Sequence, residues 1–244
     1  MNLIIDVGNT LVKLAVFDKE SICFKKTFIK SDFIETLSMV SKECPKIENA
    51  IISSVSTLTK VQLSALKKRY PLLVLNYKMN FPFVNLYETP STLGVDRLAL
   101  VSAAAAQYPN KNVLIIDSGS CITYDFLDHK NCYLGGAISP GLEMRYKALN
   151  NFTAKLPFLD MKTPKSLTGN TTNSSIHAGV VRGALFEIEG FIASYRKEYE
   201  DLTIILTGGD CKQLSKRLKN TIFAHPNLLL TGLDYILELN KKQL

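Results

Sequence analysis

The sequence predicts an α/β protein built from two copies of one structural unit, and two observations support this fold class. An apolar strand ending in Asp-x-Gly opens the chain, and the same pattern returns near the middle. After each copy, short apolar runs alternate with segments of helical periodicity. Because such alternation is typical of α/β proteins, we expect mixed sheets flanked by helices.

The two copies match beyond the Asp-x-Gly pattern. The first runs from Leu3 to Gly8 and continues as a β-rich stretch to Asp18, while the second runs from Leu114 to Gly119 and continues to Asp128. Each is predicted to be a β-hairpin with a tight glycine turn. The parallel continuation favours duplication over coincidence.

The remaining elements follow from periodicity. In the first half, helices are predicted over Ser31–Cys44, Thr59–Tyr70 and Leu98–Ala106, and strands over Ala50–Val55 and Leu72–Leu75. In the second half, we expect a long helix over Ile176–Tyr199, a buried strand over Thr203–Gly209, a helix over Gln213–Leu218, and a strand running into a final helix over Asn227–Leu239. A short polar link at Pro109–Asn112 places the boundary between halves 1–111 and 112–244.

The composition favours a globular protein and gives no sign of a membrane span. The chain has 244 residues, 46% of them hydrophobic and 21% charged, which is ordinary for a globular protein. No run approaches the roughly 20 apolar residues that a membrane span needs. Asp6 interrupts the first apolar run and no basic region precedes it, so no signal peptide is expected and the predicted location is cytoplasmic.

The net charge of +7 does not by itself indicate a nucleic-acid partner. The basic residues form scattered pairs that alternate with acids rather than a stripe with interleaved aromatics. A solvated lysine surface is therefore the favoured interpretation, and no nucleic-acid partner is expected. The five cysteines are odd in number and lack C-x-x-C spacing, which favours free, reduced thiols over a zinc site or a disulfide framework.

The first hairpin carries the clearest chemistry. Asp6 at a strand end can hold a hydrated Mg²⁺, the turn Gly8–Thr10 lets backbone N–H groups approach phosphate oxygens, and Lys13 adds a positive charge. A plain hairpin with an Asx turn is the structural alternative for one copy. Two copies of the pattern make phosphate binding the better interpretation.

Two further segments are candidates. Leu206–Asp210 places glycines after a buried strand, which suits either a routine strand-to-helix turn or close approach of an adenosine. In Gly94–Arg97, Asp96 either caps the following helix or acts as a base beside the anion-binding guanidinium of Arg97.

Together these segments resemble the type III pantothenate kinases, within the actin, sugar-kinase and acetate-kinase superfamily. The resemblance covers nearly the whole chain, and the order and spacing of its motifs make it specific. The matching segments are Asp6–Lys13, Gly94–Arg97, Asp117–Thr123, Gly135–Gly141, Asn170–Thr171 leading to Ser175, Ile176 and Gly179, and Leu206–Gly209.

The resemblance implies two tandem ribonuclease-H-like (actin-like) halves, each a mixed β-sheet flanked by helices, with a cleft between. It implies a homodimer that uses ATP to phosphorylate pantothenate to 4′-phosphopantothenate, the first step of coenzyme A biosynthesis. The implied cofactors besides ATP are Mg²⁺ and a monovalent cation, K⁺ or NH₄⁺.

The resemblance also assigns residues. Asp96 matches the proton acceptor, Asp117 matches the monovalent-cation ligand, and Asp6 would hold Mg²⁺ through water. ATP contacts fall on Asp6, Val7, Gly8, Asn9, Thr10, Leu11, Val12, Lys13 and Ser120. Pantothenate contacts fall on Tyr87, Gly94, Val95, Asp96, Arg97 and Thr171. The chain departs from the family at Gly119-Ser120-Cys121, where Gly-Thr-Ala is usual; Ser120 keeps the hydroxyl, while Cys121 is bulkier than alanine.

Two other functions remain open at this point. One is a phosphotransferase of the same superfamily with another small acceptor, against which the Gly94–Arg97 loop argues. The other is a nucleotide-binding regulatory relative acting as a transcription accessory factor, which loss of Asp6 or Asp96 would have favoured; both aspartates are present.

Overall fold

The structure is a computed structural model that describes residues 1–55, 58–219 and 222–244. Strands and helices alternate along most of it, as the periodicity predicts. In chain order the elements are β1 (Asn2–Val7), β2 (Val12–Asp18), β3 (Ser21–Phe28), α1 (Phe33–Glu43), β4 (Asn49–Ser54), α2 (Lys60–Lys67), β5 (Leu72–Val74), β6 (Val84–Asn85), α3 (Val95–Gln107), β7 (Val113–Ser118), β8 (Cys121–Leu127), β9 (Cys132–Pro140), α4 (Leu142–Asn151), α5 (Thr172–His177), α6 (Gly183–Glu198), β10 (Thr203–Thr207), α7 (Cys211–Leu214), β11 (Phe223–Ala224) and α8 (Leu228–Asn240).

By their contacts these residues fall into two compact units. The first comprises Met1–Pro109 with Asn131–Tyr133 and Asn227–Leu244, and the second comprises Asn110–Lys130 with Leu134–Pro226. The last helix, α8, thus belongs with the first unit. The predicted halves 1–111 and 112–244 divide the chain by its sequence repeat rather than by contacts, and this boundary stays a prediction.

Each unit contains a mixed sheet with the same strand order. The first sheet runs β3-β2-β1-β4-β5, and the second unit's strands run β9-β8-β7-β10-β11. In both, the opening hairpin is antiparallel and the next two strands are parallel to its first strand. Shared order and directions confirm the predicted fold class.

Register places the two repeated aspartates at equivalent positions. Asp6 is the fifth residue of β1 and lies opposite Lys13 of β2 and Ser53 of β4. Asp117 is the fifth residue of β7 and lies opposite Thr123 of β8 and Thr207 of β10. Each carboxylate therefore stands near the carboxyl end of a central strand, where α/β proteins place ligands.

Separate apolar cores hold the two sheets. In the first unit, side chains of β1, β2 and β4 pack against α1 and α2, with Leu3, Ile5, Leu37, Ile52 and Leu66 all buried. In the second, β7, β8 and β10 pack against α4 and the long helix that contains α6. Burial of this kind stabilises a fold by about 25 cal/mol per Å² of apolar surface.

The long helix contains a change of pitch. Residues Ala178–Arg182 form a π-helical segment between α5 and α6, so helical structure runs without a break from Thr172 to Glu198. The prediction of a long helix over Ile176–Tyr199 is confirmed, although the helix begins four residues earlier than expected, at Thr172. Its start is set by a capping box, in which the Thr171 and Ser174 side chains each bind the other's backbone N–H.

Two element predictions are wrong. Asn227–Leu239 contains no strand, because α8 is helical throughout and contacts α3, β1 and β4. A helix covered on several sides has a nearly continuous apolar run, which periodicity does not separate from a strand. Helix α7 covers Cys211–Leu214 rather than Gln213–Leu218, and it begins at the glycine turn that follows β10. Strands β3, β6 and β9 and helix α4 were not predicted.

Helix α8 packs closely on α3 through a glycine. A Cβ atom at Gly232 would lie 1.8 Å from the carbonyl oxygen of Ala99 and 3.3 Å from the Cβ of Ala103. Asn2 at the start of β1 fixes the same helix by donating 2.7 Å hydrogen bonds to Asp234 and Glu238. Among the described residues, no helix has both the length and the apolar composition that crossing a bilayer requires.

We expect Gly232→Ala to destabilise the protein although alanine favours helices by about 1 kcal/mol over glycine. The added methyl group would overlap a backbone carbonyl, and overpacking of this kind costs about 1–3 kcal/mol. The measurement is the free energy of unfolding by urea. Gly190→Ala in α6 is the matched control, because nothing lies within 4 Å of the added Cβ; it should be neutral or stabilising. Equal stability of the two variants would contradict the prediction.

Candidate functional site

The turn between β1 and β2 is tight and presents its backbone to solvent. The Gly8 N–H donates a 3.0 Å hydrogen bond to the Leu11 carbonyl, while Asn9, Thr10 and Leu11 are exposed. The Lys30 ammonium group donates to the Asn9 carbonyl at 3.2 Å. The predicted tight hairpin turn is therefore confirmed, with Val7 and Val12 buried at its base, while its binding of phosphate stays a prediction.

Asp6 is a buried carboxylate at the foot of this turn. Only 6% of the residue is exposed, and burial raises the pKa of its carboxyl from 3.8 to about 6. Lys13 opposes this effect, nearby Asp96 adds to it, and Ser53 lowers the pKa slightly. The first unit thus brings Asp96 near Asp6 and Lys13, which the sequence placed together on a different motif.

Ser53 is a neighbour that sequence reasoning missed. The Ser53 hydroxyl is fully buried beside Asp6 and close enough to affect the pKa of that carboxyl. Its distances and angles to neighbouring polar atoms nevertheless do not meet hydrogen-bond geometry. The signal was present in the predicted strand over Ala50–Val55, in which Ser53 and Ser54 follow three apolar residues.

Asp96 lies in the first turn of α3. Gly94 precedes the helix as its N-cap, and the Asp96 carboxylate accepts a 2.9 Å hydrogen bond from the Arg97 backbone N–H. A Cβ at Gly94 would lie 2.4 Å from that carboxylate oxygen, so glycine is needed for the observed position of Asp96. A negative group here also interacts favourably with the helix dipole. Val95 and Asp96 remain partly exposed, so the carboxylate can meet a ligand.

Arg97 is buried against two tyrosines. Its guanidinium carbon lies 5.6 Å from the centre of the Tyr87 ring and 6.0 Å from that of Tyr133. The two rings are nearly parallel, with centroids 6.2 Å apart. Tyr87 therefore lies beside Arg97, and the role of both as substrate contacts stays a prediction. Tyr133 was missed because it lies far along the chain; it joins the first unit where β9 pairs with β6.

In the second unit, residues 118–121 form the turn between β7 and β8, called here the Ser120 turn. Asp117 precedes it and is half-buried, while Ser120 is exposed. Gly208 approaches from the end of β10 with φ of +94°, and a Cβ there would lie 2.2 Å from the Ser118 carbonyl and 2.3 Å from the Asp117 carboxylate. Only glycine fits such an approach without strain.

Asp210 closes the other side of the same turn. Its backbone N–H donates to the Ser118 carbonyl at 3.1 Å, and the Ser118 hydroxyl donates to its carboxylate at 3.2 Å. Burial raises the pKa of the Asp210 carboxyl above its ordinary value. The segment Leu206–Asp210 therefore packs against the Ser120 turn rather than forming an isolated strand end.

Thr171 lies at the start of α5, beside an open cavity of about 840 Å³ in the second unit. Thr171, Asn170 and Ser175 contribute polar groups to this cavity, and Leu149 and Leu156 contribute apolar ones. The Thr171 hydroxyl accepts the capping hydrogen bond from the Ser174 N–H at 3.2 Å. Its position at an open cavity leaves one side of the residue accessible to a small molecule.

Comparison with known proteins agrees with this arrangement. The family model for type III pantothenate kinase matches residues 2–194. A type III pantothenate kinase of Christiangramia forsetii is 53% identical over 243 residues, covering 100% of both chains. Another, from Flavobacterium psychrophilum, is 46% identical and covers 99% of this chain and 100% of its own.

Solved structures show the same fold at low identity. A conserved putative Baf family transcriptional activator from Campylobacter jejuni has a TM-score of 0.66 at 21% identity, covering 98% of this chain and 99% of its own. A glucokinase from an Antarctic psychrotroph has a TM-score of 0.53 at 14% identity, with 97% and 98% covered. The fold is thus that of the actin-like kinases, and the family model and full-length identities show that this chain belongs to the type III pantothenate kinase family.

Proposed function

We propose that this protein transfers the γ-phosphoryl group of ATP to pantothenate, giving 4′-phosphopantothenate for coenzyme A biosynthesis. Family membership supports the reaction, and one structural observation carries the assignment of residues. Asp6, at the foot of the phosphate-type turn, lies close enough to Asp96 for the Asp96 carboxylate to help raise the pKa of Asp6. Phosphoryl transfer requires such closeness between a phosphate-binding group and an acceptor-binding group.

The acceptor side consists of Asp96 and its neighbours. We assign Asp96 as the proton acceptor for the pantothenate hydroxyl, since its carboxylate is partly exposed and fixed by the Arg97 N–H. Arg97, Tyr87, Gly94 and Val95 would contact pantothenate, with the guanidinium suited to the substrate's carboxylate. Thr171 is a further contact by family match, and its place beside an open cavity supports it.

The nucleotide side consists of the turn from Asp6 to Lys13 together with Ser120. Asn9 and Thr10 are exposed, so their backbone N–H groups can donate to phosphate oxygens, while the Gly8 N–H closes the turn on the Leu11 carbonyl; Lys13 supplies a positive charge opposite Asp6. Ser120 is exposed at its own glycine-lined turn, which fits a phosphate contact. Since the transition state of phosphoryl transfer is loose, positioning and charge neutralisation supply most of the catalysis.

The residues present fit the two implied cations. A buried carboxylate with a raised pKa next to a second carboxylate is stabilised by a nearby positive charge, so Asp6 suits Mg²⁺ held through water. Mg²⁺ neutralises charge on the β- and γ-phosphates when bound. Asp117 is half-buried beside the Ser118 carbonyl and the bare backbone of Gly208, an oxygen-rich setting that suits K⁺ or NH₄⁺.

Family membership also supports a homodimer, and the five free cysteines fit a reducing compartment such as the cytoplasm. A regulatory relative that binds nucleotide without turnover would not need Asp96 held beside Asp6. A phosphotransferase with another acceptor would not need Arg97 and Tyr87 in contact at the start of α3.

The reaction is tested first with the unmodified protein. We expect ADP release in a coupled assay with Mg²⁺ and K⁺ only when pantothenate is added, and Asp96→Asn should lower turnover about a hundredfold. General-base removal costs about 10²–10⁴ in rate, and a loose transition state favours the lower end. Asparagine keeps the acceptor for the Arg97 N–H, so stability and ATP affinity should hold.

The matched control is Asp96→Ala, which loses that hydrogen bond and should also destabilise the protein by about 0.5–1 kcal/mol. Near-normal turnover of Asp96→Asn would contradict a catalytic role and would mean that Asp96 only stabilises the start of α3. Equal ADP release with and without pantothenate would refute the acceptor.

Potassium should activate the enzyme through Asp117. We expect low turnover in buffer with sodium alone and recovery on addition of KCl, because the smaller sodium ion fits a site built for potassium poorly. Asp117→Asn, which removes the charge and keeps the shape, should abolish the difference between the two salts. Equal rates of the unmodified protein in both salts would remove the cation role and leave the kinase assignment untouched.

The ligand-free protein should become less stable as the pH rises through the pKa of Asp6. Folded Asp6 titrates near 6 and its unfolded form near 3.8, so the folded state holds the proton more tightly between those values. The contribution of Asp6 to stability is therefore greatest below about pH 4 and falls until its carboxyl is ionised above pH 6. Asp6→Asn should be more stable than the unmodified protein by about 2 kcal/mol at pH 8 and equal to it near pH 4. Urea unfolding in EDTA measures both values, and no difference at pH 8 would contradict the burial cost.

A further inference from the structure

A cluster of polar side chains in the second unit lies outside the residues assigned above. It joins Arg145 of α4 and Glu187 of α6 to Ser139 of β9 and Tyr124 of β8. Arg145 Nη2 lies 2.5 Å from one oxygen of Glu187 and donates to the Ser139 hydroxyl at 2.8 Å. The other Glu187 oxygen accepts from Ser139 at 2.6 Å and from Tyr124 at 2.9 Å.

Glu187 holds Arg145 in a single position. Burial alone would raise the pKa of the Glu187 carboxyl, but hydrogen bonds from Ser139, Arg145 and Tyr124 outweigh it, so this pKa lies below its ordinary value. The side chains of Arg145 and Glu187 are only 21% and 25% exposed. A carboxylate with three donors is a rigid anchor, unlike a solvated surface ion pair.

The free side of the Arg145 guanidinium reaches the backbone. Its Nε donates a 2.8 Å hydrogen bond to the carbonyl of Pro140, the last residue of β9. The next residue, Gly141, donates its N–H to the Ser120 carbonyl at 3.2 Å. A Cβ at Gly141 would lie 2.2 Å from the Gly119 carbonyl and 2.5 Å from that of Ser120, so the two backbones are in direct contact.

We propose that Arg145 is a positioning residue for ATP binding, acting through Pro140 and Gly141 on the Ser120 turn. The inference rests on the proposed function in one respect, the assignment of Ser120 as an ATP contact. Arg145 itself touches no substrate in this scheme. It fixes the backbone against which the Ser120 turn packs, so the Ser120 hydroxyl and nearby N–H groups are held in place before ATP arrives.

The chemistry requires the arginine fork. One nitrogen binds Pro140 while another binds Glu187 and Ser139, and a planar guanidinium does both at once. A lysine ammonium at the same position can keep the ion pair with Glu187 but cannot also reach the Pro140 carbonyl in that geometry. Arg145→Lys should therefore keep the ion pair with Glu187 and lose the hydrogen bond to the Pro140 carbonyl.

The test measures ATP binding directly, by calorimetric titration of the full chain in Mg²⁺ and K⁺. We expect Arg145→Lys to weaken ATP binding about tenfold, as loss of one charge-assisted hydrogen bond implies. The KM for pantothenate should stay within about twofold of the unmodified value, and the thermal midpoint should be unchanged. Arg182→Lys is the matched control, because Arg182 Nε also donates to a backbone carbonyl, that of Ser166, on an exposed segment; its ATP affinity should be normal.

A second variant covers the case in which Arg145→Lys does not fold. Glu187→Gln keeps the side-chain shape and weakens the anchor, so ATP affinity should fall about threefold with the pantothenate KM unchanged. Unchanged ATP affinity in both variants would overturn the proposal. So would an equal loss for both substrates accompanied by a lower thermal midpoint, since that pattern indicates a purely structural pair.

The two proposals fail in different ways. If the unmodified protein binds ATP without phosphorylating pantothenate, the proposed function is wrong and the titrations still test Arg145. If Ser120→Ala leaves ATP affinity unchanged, the Ser120 turn is not an ATP contact and the role of Arg145 is refuted even though the kinase activity stands.

Discussion

The burial of the Asp6 carboxylate beside Asp96 is the constraint on which the first unit's arrangement depends. Removing a carboxylate from water is costly, and a second carboxylate nearby adds repulsion, so the ligand-free site stores unfavourable free energy. The surrounding fold must hold this pair together. The parallel pairing of β1 with β4 and the packing of α3 against α8 supply that rigidity, and the proposed Mg²⁺ and nucleotide would relieve the cost.

Close contacts at glycine recur at three places in the candidate site. Gly94 leaves room for the Asp96 carboxylate, Gly208 meets the Asp117 turn, and Gly141 meets Ser120. In each case a methyl group would overlap an oxygen atom. Gly208 and Gly141 thus set distances between segments from different parts of the chain, while Gly94 sets the position of Asp96 within its own motif.

The sequence predicted the repeated hairpins and most helices, because each of these leaves a local signal of period or turn. The site residues assigned through the family resemblance stay a prediction. Features that depend on contacts far along the chain were not predictable. Tyr133 reaches Arg97 only through the pairing of β9 with β6, and α8 was mistaken in part for a strand because it is covered on several sides. Arg145 and Glu187 lie on separate helices with no sequence motif linking them, so their ion pair could be found only in the three-dimensional structure.

The place of α8 in the first unit bears on how the protein is made. Helix α3, which begins with Asp96 and Arg97, is covered by a helix that the ribosome synthesises only after the whole second unit. Asn2 must likewise wait for Asp234, which lies 232 residues further along the chain, and for Glu238. Until α8 has been made, a growing chain therefore holds its proposed acceptor residues on a helix that lacks this cover. Chains cut short before Leu228 lack the helix that packs on α3 and supports the proposed base, Asp96.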